Sequence, residues 1–306
     1  MSEPAIRVNQ LVKSYGTERV LQGVSLSVPA GQTLALLGRN GAGKTTAIRI
    51  LLGLIPADSG SVQVGGFDPV TDPLKVRQQV GYLAEDQTMY GWMTPIEICR
   101  FLAPFYPTWD MNLARDYLDR FEIPHFTRIG NLSKGQSVKL GLIAALAHRP
   151  AIVVLDDPAM GLDPIARKEF NRDLVEHLQT SGCTVLYSSH LLDEVEAVAD
   201  AIAILDRGVI VRLSATDVLR DEVKQILLSS ESVAGMPRPS GLLDVRRHDD
   251  QLALTVDQAS LVIQTLSANG IDHEVVDLSL DEIFEAYVIG RSHDWPNEPK
   301  SAAATA

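Results

Sequence analysis

The chain has 306 residues, 45% hydrophobic and 22% charged, enough for one large domain and a small one with ordinary cores. Its 27 Lys+Arg against 39 Asp+Glu leave a net charge of −12, which argues against broad nucleic-acid binding because that needs a basic face. The start MSEPAIRV lacks the charged-then-apolar pattern of a signal peptide, and Cys99 and Cys183 fit no metal or disulfide spacing. The cysteine usage makes a reducing cytoplasm the expected setting, and since no apolar run approaches the ~18 residues of a membrane span, another chain must supply any span.

VSLSV (24–28) alternates with period two and predicts a half-buried strand, whereas TLALL (33–37) is continuously apolar and predicts a fully buried one. The second strand runs into GRNGAGKTT (38–46), followed by the helical pattern AIRILLGLI (47–55). SVQVGG (61–66) predicts a short strand and turn, and VGYLAED (80–86) a strand ending in acids. Residues 95–122 change character: PIEICRFLAPFY and MNLARDYLDRFEI carry apolar residues at helical spacing, which predicts a helical insertion over about 90–150. Its aromatics Trp92, Phe101, Phe105, Tyr106 and Trp109 read mainly as helix core, with one or two free to line a partner groove. AIVVLD (151–156), TVLYSS (184–189) and AIAIL (201–205) predict three further buried strands, with helices over 165–180 and 191–199 between them. Strands alternating with helices imply an α/β fold with a mostly parallel sheet covered on both faces.

The composition loosens near residue 218. SVAGMPRPSG (232–241) reads as a linker or loop, LLDVRRHDDQLALTV as a hairpin around His248–Asp250, and a helix (257–268), a strand near HEVVDL and a helix in SLDEIFEAYVIG follow. Ser279 with Glu282 predicts a capping box on that last helix. The expected division is a domain over 1–218, a small α+β domain over 219–291 and a disordered tail over 292–306.

GRNGAGKT matches G-x-x-x-x-G-K-[ST] and stands between a buried strand and a helix, where a phosphate loop works. Gly38, Gly41 and Gly43 let the backbone turn its N–H groups toward phosphate oxygens. The helix N-terminus adds its positive dipole end. Lys44 is expected to reach the β- and γ-phosphates of ATP and Thr45 to place its hydroxyl on Mg²⁺. Asp156, at the end of a buried strand, is the expected second Mg²⁺ contact.

GRNGAGKTT, LSKGQ (132–136), VVLDDP (153–158), GLDP (161–164) and SSH (188–190) resemble, in order and spacing, the ATPase subunits of ABC transporters over about residues 5–215. SLDEIFEAYV is similar to the C-terminal segment of the exporter-type branch. The resemblance implies a P-loop NTPase of the ABC type with a helical subdomain, and two subunits facing head to tail around two Mg-ATP. It assigns Asn40, Ala42 and Thr46 to the nucleotide beside the P-loop residues already named. It also implies that Ser133, Gly135 and Gln136 face the γ-phosphate of the partner chain, that Asp163 crosses toward the partner site, and that Tyr15 stacks on adenine. His190 would contact the γ-phosphate and hold the attacking water.

Two positions depart from the family pattern beside Lys134, which stands where glycine is commoner. The second acid after the buried strand, normally a Glu that polarises the water, is Asp157, shorter by about 1.5 Å. Glu85 occupies a position usually held by Gln, though the exporter-type branch also uses Glu there; it would touch both Mg²⁺ and the water and make up in part for the short acid, or serve only as a metal contact or loop acid, and Gln87 lies two residues on. The expected function is an ATP-hydrolysing subunit, peripheral on the cytoplasmic face, that powers a separately encoded transmembrane permease, an exporter, as a homo- or heterodimer without nucleic-acid partners. The alternative is an ATP-gated switch or slow-hydrolysing partner subunit, favoured by Asp157; a soluble translation or repair ATPase fits less well, because one domain and no long heptad run are present.

Overall fold

The computed structural model describes residues 3–189, 196, 198–233, 236–290, 292 and 295, with the side chains of 176–181 left out. The chain divides into two compact units, Met1–Leu213 and Ser214–Ala306.

The first unit opens with β1 (Ile6–Tyr15) and β2 (Glu18–Val28), an antiparallel hairpin whose end pairs Tyr15 with Glu18. β3 (Thr33–Leu37) leads into α1 (Lys44–Leu51), and β4 (Ser59–Val64) returns to pair with β1. α2 (Pro73–Gln79) precedes β5 (Val80–Leu83). The helical region holds α3 (Pro95–Leu102), α4 (Met111–Arg120) and α5 (Lys134–Leu146). β6 (Ile152–Asp156), α6 (Pro164–Ser181), β7 (Thr184–Ser189), β8 (Ala201–Asp206) and β9 (Val209–Ala215) complete the unit.

Two sheets result: a three-stranded antiparallel one in the order β2-β1-β4, and a six-stranded one in the order β5-β6-β7-β3-β8-β9. The ladders from β5 through β8 are parallel. Every residue of β3, β6 and β7 is buried, as continuous apolar runs at the centre of a parallel sheet require. One core cluster joins both sheets through α1, with Ile48 and Leu51 packed among Val24, Leu36 and Val154. The strands expected at 24–28 and 61–66 fall within β2 and β4, in the antiparallel layer.

Local chemistry sets the helical region. Thr94 and Glu97 form a capping box with Pro95 in the first turn of α3, and Asp110 caps α4 by accepting from the N–H groups of Asn112 and Leu113. The inward face of α3 carries Ile96, Ile98 and Cys99. The aromatics are not mainly core: Trp92 is 67% exposed, Phe105 60% and Phe101 42%. Phe101 and Phe105 pack edge to face at 5.6 Å, and Tyr90 touches both Trp92 and Phe101. Tyr106 instead stacks at 4.1 Å on His148, which is buried.

The second unit holds α7 (Thr216–Glu222), β10 (Lys224–Ser229), β11 (Leu242–His248), β12 (Gln251–Val256), α8 (Ala259–Ala268), β13 (His273–Asp277) and α9 (Leu280–Ile289). Its sheet, ordered β11-β12-β10-β13, is antiparallel throughout. Ile226, Leu228, Leu252 and Leu254 pack against Val262 and Leu266 of α8. Ser279 and Glu282 form the expected capping box. Of the expected disordered tail over 292–306 only residues 292 and 295 are described, and Trp295 is buried in this core. His190 and most of the expected helix over 191–199 lie outside the described residues.

Candidate functional site

The loop 38–43 joins buried β3 to α1. Gly43 has φ +110, and a Cβ there would lie 2.7 Å from Leu21 Cδ2 and 3.0 Å from the Val20 carbonyl, so neither the backbone angle nor β2 admits a side chain. Ala42 is tied on both sides, its N–H donating to Arg39 O and its carbonyl accepting from Gly208 N. Lys44 is buried at 5% exposure. Its Nζ donates to Gly38 O at 2.8 Å and lies 3.3 Å from Asp157 Oδ2.

Asp156 ends β6 almost wholly buried. Thr45 Oγ1 donates to its Oδ1 at 3.3 Å, while Oδ2 is buried without a hydrogen-bond partner. Burial raises its carboxyl above the ordinary value, against the pull of the Thr45 hydroxyl; Ser188 Oγ also faces it, without good hydrogen-bond geometry. A spare buried carboxylate oxygen beside a hydroxyl is the hard oxygen donor set that fits Mg²⁺. Asp157 follows at φ +44, a left-handed conformation that Asp adopts more readily than most side chains, with its N–H donating to Ser188 O. Glu85, in the loop after β5, has its carboxyl raised by burial first and then by Asp157, Asp156 and Asp86. The P-loop, Asp156, Asp157 and Glu85 thus converge on one place.

A second group gathers around a cleft of about 410 Å³ lined among others by Ser133, Lys134, Gly135, Gln136, Gly161 and Asp163. Ser133 caps α5: its Oγ accepts from Gln136 N at 3.1 Å, and Gln136 Oε1 accepts from Ser133 N at 3.0 Å. The Ser133 hydroxyl proton stays free to donate. The Lys134 ammonium lies over Gly161. Asp163 caps α6 by accepting from the N–H groups of Ile165 and Ala166 at 3.0 Å.

A family model described as ABC transporter matches residues 21–160. An ABC transporter ATP-binding protein of Bacillus subtilis (strain 168), YdbJ, uncharacterised, is 34% identical over 71% of this chain and 72% of its own length. The daunorubicin resistance ATP-binding protein DrrA3 of Streptomyces coeruleorubidus is 31% identical over 93% of this chain and 96% of its own. The chain belongs to the ATP-binding proteins of ABC transporters. A solved ATP-binding subunit of an ABC transporter overlays with a TM-score of 0.64 at 28% identity, covering 71% of this chain and 92% of that one. The fold is accordingly that of an ABC ATPase, and the chain is an ATP-binding ATPase coupled to transport. No helix among the described residues is long and apolar enough to cross a membrane.

Around this ABC cassette, Tyr15 sits at the end of the β1–β2 hairpin, 49% exposed. Val20 and Leu21 of the same hairpin are the residues a Cβ on Gly43 would meet, so β2 runs past the P-loop. Lys13 Nζ lies 5.6 Å from the Tyr15 ring centroid and 3.0 Å from Asp58 Oδ1. Neither Lys13 nor Asp58 was picked out by sequence reasoning; the only available signal was the i,i+2 spacing of Lys13 and Tyr15 on a strand that itself went unrecognised. Gln87 packs against Gly141 of α5, where a Cβ would overlap it, and its Oε1 is buried without a partner.

Proposed function

We propose that the chain is the ATP-hydrolysing subunit of an exporter, peripheral on the cytoplasmic side of a membrane and acting on a separately encoded permease. What supports this most is the convergence of Lys44, Thr45, Asp156 and Asp157 on one buried corner of the P-loop. Lys44 and the N-terminus of α1 would draw the phosphates in, with the backbone of 38–46, including Asn40 and Thr46, wrapped around them. Thr45 Oγ1, the spare Oδ2 of Asp156 and Glu85 would hold Mg²⁺, which when bound neutralises phosphate charge. Asp157 and Glu85 are the carboxylates placed to orient a water toward the γ-phosphate, with His190 as the further contact.

The cleft at Ser133 would receive a second ATPase subunit head to tail, Ser133 Oγ–H and the Gly135 N–H donating to its nucleotide and Asp163 crossing toward it. Exporter direction rests on the length-spanning likeness to a drug-resistance protein. The exposed aromatics Trp92, Phe101 and Phe105 are the surface for the permease. The switch without turnover gains nothing from these relatives and is set aside.

The test is steady-state ATP hydrolysis titrated with Mg²⁺ in the parent, Thr45→Ala and Asp156→Asn proteins. Loss of the Mg²⁺-dependent rate in both variants, with ATP still bound when the metal is chelated, is expected. Unchanged Mg²⁺ dependence in Asp156→Asn would remove the assignment.

A further inference from the structure

Tyr15 is an exposed ring on a hairpin end, and such a ring has two faces and free rotamers. In this structure one side of it is already engaged. The Lys13 ammonium lies over the ring, 5.6 Å from its centroid, within cation–π range. The ammonium is itself anchored, because Asp58 Oδ1 accepts from it at 3.0 Å. Asp58 is fixed in turn to the same strand: Oδ2 accepts from Ser14 N at 2.6 Å, and its own N–H donates to Val12 O at 2.9 Å. Three contacts from one residue span Val12 to Ser14, where the β1–β2 register shifts between Lys13 and Ser14. Beyond that shift β1 is held at Tyr15 by its pairing with Glu18, and the Asp58 clamp adds a second hold on the strand just before the ring.

We propose that Lys13, held by Asp58, is a positioning residue that fixes the Tyr15 ring as the platform on which the adenine of ATP stacks. The inference rests on the reading of Tyr15 as that platform. Lys13 backs one face and leaves the other to the base, so the ring is immobilised before the nucleotide arrives and binding does not pay for ordering it. Neither Lys13 nor Asp58 need touch the nucleotide. Their effect belongs to the base and not to the phosphates.

The test compares ATP with inorganic tripolyphosphate, which has the phosphates and no base, by calorimetric titration of the full chain with the metal chelated. Tyr15→Ala should weaken ATP about tenfold or more and leave tripolyphosphate unchanged. Lys13→Met and Asp58→Asn should each weaken ATP by about two- to fivefold, again without effect on tripolyphosphate. Lys13→Arg should restore most of the loss, and Lys13→Met should add nothing in the Tyr15→Ala background. If Tyr15→Ala weakens ATP while Lys13→Met does not, the positioning role is overturned and the platform reading stands. If Tyr15→Ala leaves ATP binding unchanged, the platform reading fails and the inference with it. Equal weakening of ATP and tripolyphosphate in Lys13→Met would make Lys13 a plain charge contact and overturn the proposal.

Discussion

Replacing Asp157 with Asn should tighten ATP binding while weakening the nucleotide-free protein. In the structure the P-loop lysine is already occupied: Lys44 Nζ sits 3.3 Å from Asp157 Oδ2 and 2.8 Å from Gly38 O, with both ion-pair side chains almost fully buried. An effective dielectric of about 20 puts the attraction of unit charges at that separation at roughly 5 kcal/mol. Phosphate must compete with this carboxylate for the same ammonium. Removing the carboxylate's charge removes the competitor, but Lys44 keeps its bond to Gly38 and water offsets part of the loss. About half of the attraction, roughly 2–2.7 kcal/mol, should then appear as about 30- to 100-fold tighter ATP binding. Calorimetric titration with Mg²⁺ chelated, which prevents turnover, measures it directly. The nucleotide-free Asp157→Asn protein should melt lower than the parent, and saturating ATP should close the gap. Equal affinity together with an unchanged nucleotide-free melting temperature would refute the reasoning. Asp157→Glu separates charge from reach: it keeps the ion pair and adds about 1.5 Å, so ATP affinity should change little while hydrolysis rises, by up to roughly 10²-fold if the short acid limits the rate. An unchanged rate would show that reach does not limit turnover.

Burial holds the His148 imidazole down to about 4, from an ordinary 6.5, despite the nearby Val80 backbone. The unfolded chain therefore binds the extra proton first: this contribution is intact above pH ~6.5, is lost progressively as pH falls toward 4, and amounts to roughly 3 kcal/mol. Melting curves from pH 7 to 4 should show this slope in the parent and a flatter one in His148→Phe; identical profiles would count against it. Gly141→Ala forces Gln87 off α5, so it should cost about 1–3 kcal/mol of stability by chemical denaturation, and adding Gln87→Ala should recover much of that. Replacing Trp92 and Phe105 together with Ser should abolish copurification with the permease and leave ATP affinity unaltered; retention of the permease would place its docking surface elsewhere.

The parallel core was legible because each buried strand is a short unbroken apolar run: TLALL, IVVLD and TVLYSS are strands whose every residue is covered. The hairpin and capped helix of the second unit were legible for a related reason, since turn residues and the Ser279–Glu282 box act locally. β1 was not. Its register shifts between Val8 and Leu11, between Leu11 and Val12 and again between Lys13 and Ser14, and Gln10 has φ +47, so IRVNQLVKSY never keeps period two long enough to announce a strand. The aromatic cluster misled in the opposite direction. Helical spacing places Phe101 on a face, but spacing alone does not say whether the face is covered.

The same distinction explains the site. Motif spacing named Lys44, Thr45, Asp156 and Asp157, because each is fixed by a strand end or a glycine turn next to it in sequence. It could not say what these groups do before a nucleotide is present. A buried ammonium must be paired, and so must most buried carboxylates. The parallel sheet brings β6 beside β7, and β7 beside β3, so Asp157 reaches a lysine 113 positions earlier, and the two charges satisfy each other. Thr45 takes one oxygen of Asp156, and the other is buried without a hydrogen-bond partner. In the resting P-loop Asp157 therefore answers the lysine, while Asp156 keeps one oxygen without a hydrogen-bond partner. Shortening the second acid to Asp changes two quantities at once, the reach toward water and the hold on Lys44. A turnover measurement alone would merge them, and the paired Asn and Glu substitutions at Asp157 pull them apart.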